Sequence, residues 1–281
     1  MCPVRLLLLN GPIGDMTMAS IKSTASPIRQ YNQIAVRSIG VADLRDALAS
    51  GVRDFLAIPT QLVFLCILYP IIGLVAARAS ASYDVLPLLF PLVSGLALVG
   101  PVLAIGLYEL STRREQGLPV SWLNAFDVLR SPSILSIAAL GLVLFMIFFA
   151  WLTIAKAIYV WTMGDATPAS IGDLAQQIMG SRSGWLLIAW GNLVGGLFAI
   201  LVLTITVVSF PMLVDRDVGP IVAVRTSVRA VLANPITMAV WGLMVAVILL
   251  LGCLPLFLGL AVAMPVLGHA SWHLYRKLVM P

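Results

Sequence analysis

Residues 236–274 read ITMAVWGLMVAVILLLGCLPLFLGLAVAMPVLGHASWHL and contain no Asp, Glu, Lys or Arg. As a single helix this stretch would extend about 58 Å, almost twice the roughly 30 Å of a membrane hydrocarbon core. Gly252 and Pro255 lie at its centre, where proline lacks a backbone N–H and glycine permits a turn. The pattern therefore predicts two short membrane spans, about 236–252 and 255–274. The alternative is one long, tilted helix with a kink at Pro255.

Four further apolar stretches precede this one. The composition is that of a membrane protein, with 60% hydrophobic residues, 10% charged residues and a mean hydropathy of +1.04. Soluble domains contain about 25% charged residues, so a soluble globule of this composition could not cover its surface with polar side chains. We expect an all-α polytopic membrane protein with six transmembrane helices in three hairpins. The first four spans are predicted at about 60–78, 85–110, 133–161 and 184–210.

The distribution of basic residues predicts the orientation of these spans. Of the 17 lysines and arginines, fourteen fall in residues 1–59, 111–132 and 211–235 or after residue 274. These segments would lie on one side of a six-span protein, and the positive-inside rule assigns that side to the cytoplasm. Both termini are therefore predicted to be cytoplasmic. The net charge of +5 is then an orientation signal rather than a sign of nucleic-acid binding.

The N-terminal segment is predicted to lack a signal peptide. Its apolar run, Leu6–Leu9, is too short for the hydrophobic region of such a peptide. Residues 1–39 are therefore interpreted as a disordered, weakly basic cytoplasmic leader, and residues 40–281 as the six-helix transmembrane domain.

A short amphipathic segment that ends in proline precedes each pair of spans. The three segments are Gly51–Pro59, Asn124–Pro132 and Ser227–Pro235, and each has leucine three positions before its proline. This recurrence predicts an internal repeat of three units. We expect each segment to belong to an interfacial amphipathic helix on the cytoplasmic side, with its apolar side toward the membrane interior. The basic residues predicted to lie near anionic lipid head groups are Arg45, Arg53, Arg225 and Arg229.

The first of these helices has the clearest helical periodicity. Its polar side is predicted to include Arg45, Arg53 and Asp54. The apolar side is predicted to comprise Val41, Leu44, Leu48, Val52 and Phe55.

Several loop motifs resemble a known family. They are Asp43–Leu48, Leu107–Ser111, Arg114–Gly117, Ala125–Pro132, Ser209–Pro211, Asp215–Gly219 and Gly268–Ala270. Together they are similar to the bacterial domain of unknown function 2189 family of integral membrane proteins, over residues 35–279. The resemblance implies an inner-membrane location and supplies no established activity or site residue.

Two histidines, His269 and His273, lie one helical turn apart near the inner end of the last predicted span, so both project from one face. Such a pair could chelate a divalent metal. The competing interpretation is two interfacial histidines that extend toward the surface beside Arg276 and Lys277. Some relatives carry a cytochrome oxidase subunit label, but two histidines are too few for a haem–copper core.

Two charged residues lie close to predicted span ends. Glu109 precedes Arg113 by four residues, which predicts an ion pair on the helix surface. Lys156 lies near the outer end of the third span, and its long side chain is expected to reach the surface.

A G-x-x-x-G motif in the fourth span is formed by Gly191 and Gly195. The motif favours close contact with another helix, and Asn192 is a candidate for a hydrogen bond across that contact. Packing is preferred here over catalysis.

The remaining motifs do not indicate an enzyme. Cys2, Cys66 and Cys253 form no C-x-x-C pair, so neither a disulfide framework nor a zinc site is predicted. Phosphate-binding, metalloprotease and G-x-S-x-G motifs are absent from the sequence. We expect a non-enzymatic structural or accessory protein without a cofactor. Its expected partners are membrane lipids and other inner-membrane proteins, not nucleic acid. Two alternatives stay open: a small transporter or lipid-handling protein, suggested by the repeats, and a redox subunit that uses the two histidines.

Overall fold

The computed structural model describes residues 34–58, 83–165 and 168–280, together with positions 60, 63–64, 66, 69, 71–72 and 74. The predicted leader up to residue 33 and most of the predicted span 60–78 lie outside the described residues.

The described chain consists mainly of α-helices. They are α1 (Val41–Ala57), α2 (Leu89–Leu103), α3 (Ile105–Glu115), α4 (Ile134–Met163), α5 (Ile171–Gly180), α6 (Arg182–Thr206), α7 (Ser209–Asp215), α8 (Pro220–Ala233), α9 (Pro235–Cys253) and α10 (Leu260–Leu278). Two 3₁₀ segments, Tyr83–Leu88 and Trp122–Arg130, and an isolated antiparallel bridge between Val36 and Val279 complete the described structure. The predicted all-helical fold class is confirmed for these residues.

Among the described residues, three helical segments are long and apolar enough to cross a membrane: Ile134–Met163, Arg182–Asp215 and Pro235–Cys253. Their most apolar windows have mean hydropathies of 2.6, 2.6 and 2.5. α4 and α9 expose large apolar side chains, such as Leu135 at 80% and Ile236 at 78% exposure. Continuous apolar faces of this kind are unfavourable in water and suit contact with lipid.

The predicted span 85–110 is not a single helix. The chain there forms the 3₁₀ segment Tyr83–Leu88, then α2, then α3, with a break at Ala104. Pro101 lies inside α2 and cannot donate a backbone hydrogen bond, which weakens the turn before the break. Hydropathy did not anticipate this interruption because it does not register a missing N–H donor, and the span 85–110 stays a prediction.

A six-residue turn separates α9 from α10, so two helices occupy the long apolar stretch. Within the turn, Leu256 and Phe257 have φ angles of 50° and 66°, a left-handed conformation uncommon for residues with side chains. Gly252 and Gly259 face each other closely, since a Cβ on Gly259 would lie 2.8 Å from the Gly252 Cα. The absence of both side chains lets the helical hairpin close at this point.

The beginning of α9 and the end of α10 meet the segment that precedes α1. We call this region, defined by Arg37, Ile39, Asn234 and Val279, the charged end. The Asn234 side chain donates from Nδ2 to the Arg37 carbonyl over 3.0 Å and accepts from the Ile39 N–H over 2.8 Å. Val36 pairs with Val279 in the isolated bridge. α9 and α10 are therefore antiparallel, and the hairpin begins and ends at the charged end.

α1 packs against α10. Val41 and Val52, predicted to be on the apolar side, are 45% and 38% exposed. Asp54, predicted to be on the polar side, is only 5% exposed. The buried residues of α1 are Leu44, Ala47, Gly51 and Asp54. The prediction was correct for Leu44 and wrong for Asp54.

The other two proline-ended segments are also helical at least in part. Asn124–Pro132 overlaps the 3₁₀ segment Trp122–Arg130, which exposes Leu123, Phe126 and Leu129 at 57%, 55% and 63%. The third segment ends α8, and its proline is the first residue of α9. Proline is tolerated at that position because a first-turn N–H has no helical partner.

Candidate functional site

One carboxylate, that of Asp54, joins three helices. Ser111 of α3 donates from Oγ to Asp54 Oδ2 over 2.8 Å, and His273 Nε2 of α10 lies 2.8 Å from the same oxygen. Arg114 Nε lies 3.2 Å from Asp54 Oδ1. His269 Nδ1 lies 2.7 Å from Ser111 Oγ. We call these five residues the Asp54 cluster.

The Asp54 cluster is buried at its centre and reaches the surface at its edge. Asp54, Ser111 and His269 are 5%, 1% and 0% exposed, whereas the side chains of Arg114 and His273 are 38% and 23% exposed. Burial disfavours the charged carboxylate, but hydrogen bonds from His273 and Ser111 outweigh this effect and lower the pKa of Asp54 below its usual range. Asp54 is therefore ionised at neutral pH.

The ionised carboxylate decides the direction of each hydrogen bond in the cluster. Because Asp54 can only accept, Ser111 must give it the single hydroxyl proton. The contact between Ser111 and His269 is then an N–H donated by His269 Nδ1. By the same reasoning His273 donates from Nε2. The neutral forms of the two histidines consequently carry their protons on different ring nitrogens.

This arrangement differs from a nucleophilic Ser–His–Asp triad. In a triad the histidine lies between the other two residues and accepts the serine proton. Here Ser111 lies between Asp54 and His269, and the His269 nitrogen that faces it already carries a hydrogen. The acceptor of the serine proton is a carboxylate with a lowered pKa, which makes it a weak base. His269 Nε2 is buried, with no hydrogen-bond partner among the described residues.

Two glycines let the helices approach closely enough to form the cluster. A Cβ on Gly51 would lie 2.6 Å from both the Ala270 nitrogen and the Val266 oxygen of α10. A Cβ on Gly268 would collide with the side chain of Leu107 on α3. Larger residues at these positions would move α1 and α3 away from α10 and separate the members of the Asp54 cluster.

Further ion pairs connect the last turn of α10 to its neighbours. Lys277 Nζ lies 3.0 Å from Asp43 Oδ1 and 3.3 Å from Asp46 Oδ2, both on α1. Arg276 Nε lies 3.2 Å from Glu115 Oε1 at the end of α3. These pairs are partly exposed and each stabilises the fold little, but together they place charges of both signs near the charged end.

The two predicted histidines approach the same carboxylate oxygen. His269 Nδ1 and His273 Nε2 lie 3.9 Å and 2.8 Å from the same oxygen of Asp54. In the part of the chain that the structure describes, no group of three or more His, Cys, Asp or Glu side chains could hold a metal ion. Cys66 and Cys253 are free thiols. Sequence reasoning missed Asp54 and Ser111 because each looks like an ordinary polar residue of a helix, and only the fold joins them.

The charged candidates occupy ordinary surface positions. Arg113 Nε lies 3.1 Å from Glu109 Oε1, as the i,i+4 spacing predicts, and Arg113 Nη2 lies 2.9 Å from Asp127. Lys156 is exposed on α4. Also exposed are the four arginines predicted to lie near lipid head groups, Arg45, Arg53, Arg225 and Arg229.

The two glycines of the G-x-x-x-G motif face different parts of the molecule. Gly195 faces α4, where its Cβ would lie 3.1 Å from the Trp151 ring, so this position provides the predicted close contact. Asn192 Nδ2 donates to the Ile188 carbonyl of its own helix over 2.7 Å rather than across the motif. Gly191 has no atom within 4 Å of its Cβ position and lines a pocket instead.

This pocket, which we call the apolar pocket, has a volume of about 380 Å³. It lies among the 3₁₀ segment Tyr83–Leu88 and helices α2, α4, α5 and α6. Representative wall residues are Leu86, Phe90, Ile158, Leu174, Ile188 and Gly191. Trp151 also lines it, but its Nε1 donates to the Pro91 carbonyl over 3.0 Å. The wall therefore presents mainly hydrocarbon to the interior.

Comparison with known protein families shows a similarity over part of this chain. No curated protein and no solved structure matches it. A family match covers α2 to the end of α7, including Ser111 and Arg114 but neither Asp54 nor the histidines. That range is shorter than the 35–279 expected from the loop motifs. Residues 89–215 match the family described as predicted integral membrane protein (DUF2189), and in this part the chain is similar to the members of that family.

Proposed function

We propose that the protein is a non-enzymatic structural or accessory protein of a bacterial inner membrane, in which the Asp54 cluster holds α1, α3 and α10 together. The observation that carries this proposal is the hydrogen-bond order Asp54, Ser111, His269. In that order the Ser111 hydroxyl donates to Asp54, and the N–H of His269 donates to Ser111, so both hydrogens are engaged in hydrogen bonds with neighbouring side chains. The cluster thus has the chemistry of a structural tie.

The burial of Asp54 explains why such a tie would be strong. Removing one partner of a buried, hydrogen-bonded charge leaves that charge uncompensated, which typically costs about 3–5 kcal/mol. Asp54 has partners on two other helices, and the helices that carry them lie far apart in sequence. Loss of the carboxylate would loosen three contacts at once.

The proposed topology has six spans in three hairpins, with both termini in the cytoplasm. α9 is apolar enough to cross a membrane, and α10 returns to the point where α9 begins. A chain that leaves the cytoplasm in α9 therefore re-enters it in α10. The positive-inside rule supports a cytoplasmic charged end, because Arg37, Arg276 and Lys277 all lie near it.

Membrane lipids are the proposed partners of the 3₁₀ segment Trp122–Arg130. Its exposed side chains Leu123, Phe126 and Leu129 precede the exposed apolar face of α4, which begins with Leu135 at 80% exposure. A short amphipathic helix that leads into a span, with arginine at its end, suits the interface between hydrocarbon and anionic head groups. In the proposed threefold repeat, the proline-ended segments before α4 and α9 both lie at this interface and lead into a span.

A serine-directed fluorophosphonate probe tests the non-enzymatic proposal. The purified protein should show no labelling at Ser111 under conditions that fully label an added serine hydrolase. Labelling that disappears in Ser111→Ala would overturn the proposal, because an unactivated serine does not react.

The same variant tests the structural role. Ser111→Ala removes the buried hydroxyl between Asp54 and His269, so that His269 Nδ1 loses its partner and Asp54 keeps only His273 and Arg114. This should destabilise the protein by about 1–3 kcal/mol, measured as a lower apparent Tm in detergent. The matched control is Ser50→Ala, which removes only an exposed hydrogen bond to Arg53. Equal melting of the two variants would argue against a structural tie.

A further inference from the structure

The apolar pocket has the size and lining of a ligand site. Its volume of about 380 Å³ lies at the lower end of the range for small-molecule sites, roughly 300–1,000 Å³. Its wall combines aliphatic side chains from separate elements, among them Leu86, Ile158, Leu174 and Ile188. None of the described wall residues is charged. A cavity of this kind suits a single hydrocarbon chain better than a whole lipid.

The polar groups in the wall favour an apolar ligand. The indole N–H of Trp151 donates to the Pro91 carbonyl, and the Asn192 amide donates to the Ile188 carbonyl. The indole N–H and one amide N–H are therefore engaged, and a ligand that needs hydrogen bonds would give up its bonds to water for the few polar groups of a mainly aliphatic wall. A hydrocarbon chain loses no hydrogen bond when it enters.

The edge of the pocket is continuous with the surface expected to face lipid. Phe90 and Ile171 line the pocket and are nevertheless 63% and 64% exposed. Beside it, Trp161 of α4 and Trp190 of α6 pack edge to face at 6.2 Å, with 67% and 43% exposure. Trp161 lies two residues from the end of α4, and an exposed tryptophan at the end of an apolar helix is typical of the membrane interface.

An amphipathic helix covers the pocket. α5 contributes Ile171, Leu174 and Ile178 to the wall. Its polar side carries Asp173, which accepts a hydrogen bond from Gln177 over 3.0 Å. No residue of α5 is buried, so this helix covers the pocket without itself being enclosed. Such a cover has an apolar side for a hydrocarbon chain and a polar side for the head-group region.

We infer that the apolar pocket binds an acyl chain of a membrane phospholipid, which enters from the bilayer beneath α5. The chain would replace the missing packing partners of the wall residues while its head group stays at the membrane interface. This site lies on α2, α4, α5 and α6 and shares no residue with the Asp54 cluster.

Two glycines of α6 provide a matched test. Gly191 and Gly196 both have no atom within 4 Å of the Cβ position, so either can accept a Cβ without a collision. Only Gly191 lines the pocket. Gly191→Phe should therefore fill the pocket, and Gly196→Phe should place the same ring on the outer surface of the same helix.

The full chain is reconstituted into vesicles of phosphatidylethanolamine and phosphatidylglycerol that include a phospholipid with a photoactivatable acyl chain. After irradiation, mass spectrometry should locate crosslinks at wall residues such as Ile158, Leu174 and Ile188. Gly191→Phe should reduce this labelling about tenfold, the effect of displacing about two methylene groups. Gly196→Phe should leave it unchanged.

Different outcomes would overturn the inference. Crosslinks confined to outward residues of α6, such as Leu193 and Leu197 at 56% and 59% exposure, would mean that the lipid contacts only the outer surface of the protein and does not enter the pocket. Labelling by a photoactivatable free fatty acid but not by the phospholipid would refute the assigned source of the chain. The crosslink map of the unmodified protein decides between these outcomes even if Gly191→Phe fails to fold.

Discussion

At the scale of single residues, Asp54 is a buried carboxylate with partners on two other helices. Burial raises the free energy of its carboxylate, but donors from His273 and Ser111 outweigh that penalty and lower the pKa of Asp54. Because the folded pKa lies below the unfolded value near 3.8, the ionised group stabilises the fold fully above about pH 4. This stabilisation is lost as the pH falls through the folded pKa.

We predict that the apparent Tm in detergent is nearly constant between about pH 5 and 7 and falls below about pH 4. Asp54→Asn should lower the apparent Tm at neutral pH, by an amount equivalent to about 3 kcal/mol, and should remove much of the acid-dependent fall. Differential scanning fluorimetry based on tryptophan emission measures both effects.

The control for this prediction is Asp46→Asn on the same helix. The Asp46 side chain is 70% exposed and lies 3.3 Å from Lys277, and an exposed pair of this kind contributes at most about 1 kcal/mol. If Asp46→Asn changed the acid profile as much as Asp54→Asn, general loss of negative charge would be the cause, and the assigned role of Asp54 would be wrong.

At the scale of helices, the close packing of α1 on α10 depends on Gly51. Gly51→Ala should destabilise the protein by roughly 1–3 kcal/mol, because the added Cβ meets backbone atoms of Ala270 and Val266 that cannot move independently. The matched substitution Gly196→Ala adds the same methyl group to a helix in open space, where replacing glycine should be neutral or stabilising. Apparent Tm values compare the two variants. Equal stability would mean that α1 does not approach α10 as closely as the structure shows.

Sequence periodicity identified α1 correctly as a helix but placed Asp54, which is buried, on its polar side. From hydrophobic spacing alone, Asp54 is expected to be solvated and Gly51 to have no role in packing. In the structure, Gly51 lets α1 approach α10 closely, and the Asp54 carboxylate is buried. Neither feature depends on nearby sequence, since Ser111 and the two histidines lie on other helices. The hairpin of α9 and α10 was easier to anticipate, because Gly252 and Pro255 lie within the apolar stretch itself.

The apolar pocket illustrates the same limit for a site made by several helices. The G-x-x-x-G motif predicted close packing, and Gly195 against Trp151 shows it. Gly191 has the same residue type but faces the pocket. Which glycine meets a helix and which meets a cavity depends on the rotation of α6 relative to α4, and a sequence motif carries no information about that rotation.

At the scale of the whole molecule, charge and chain direction point to the same orientation. Arg37 and Asn234 meet at the charged end, and the ion pairs of Lys277 lie on the last turn of the helix that ends there. Lys156 and Arg182, by contrast, belong to the helix ends that lie near α5. The charged end is therefore expected in the cytoplasm and the apolar pocket near the opposite surface of the membrane.

Fusion proteins test this orientation. Alkaline phosphatase, which is active only outside the cytoplasm, should be active when fused after residue 170 or residue 253 and inactive after residue 281. A green fluorescent protein fusion, which fluoresces only inside, should give the reverse result at each position. The physical reason is that α10 runs antiparallel to α9 and its end pairs with the segment before α1. A phosphatase-active C-terminus would mean that α9 and α10 together cross the membrane once, as a single kinked segment, and would refute the six-span topology.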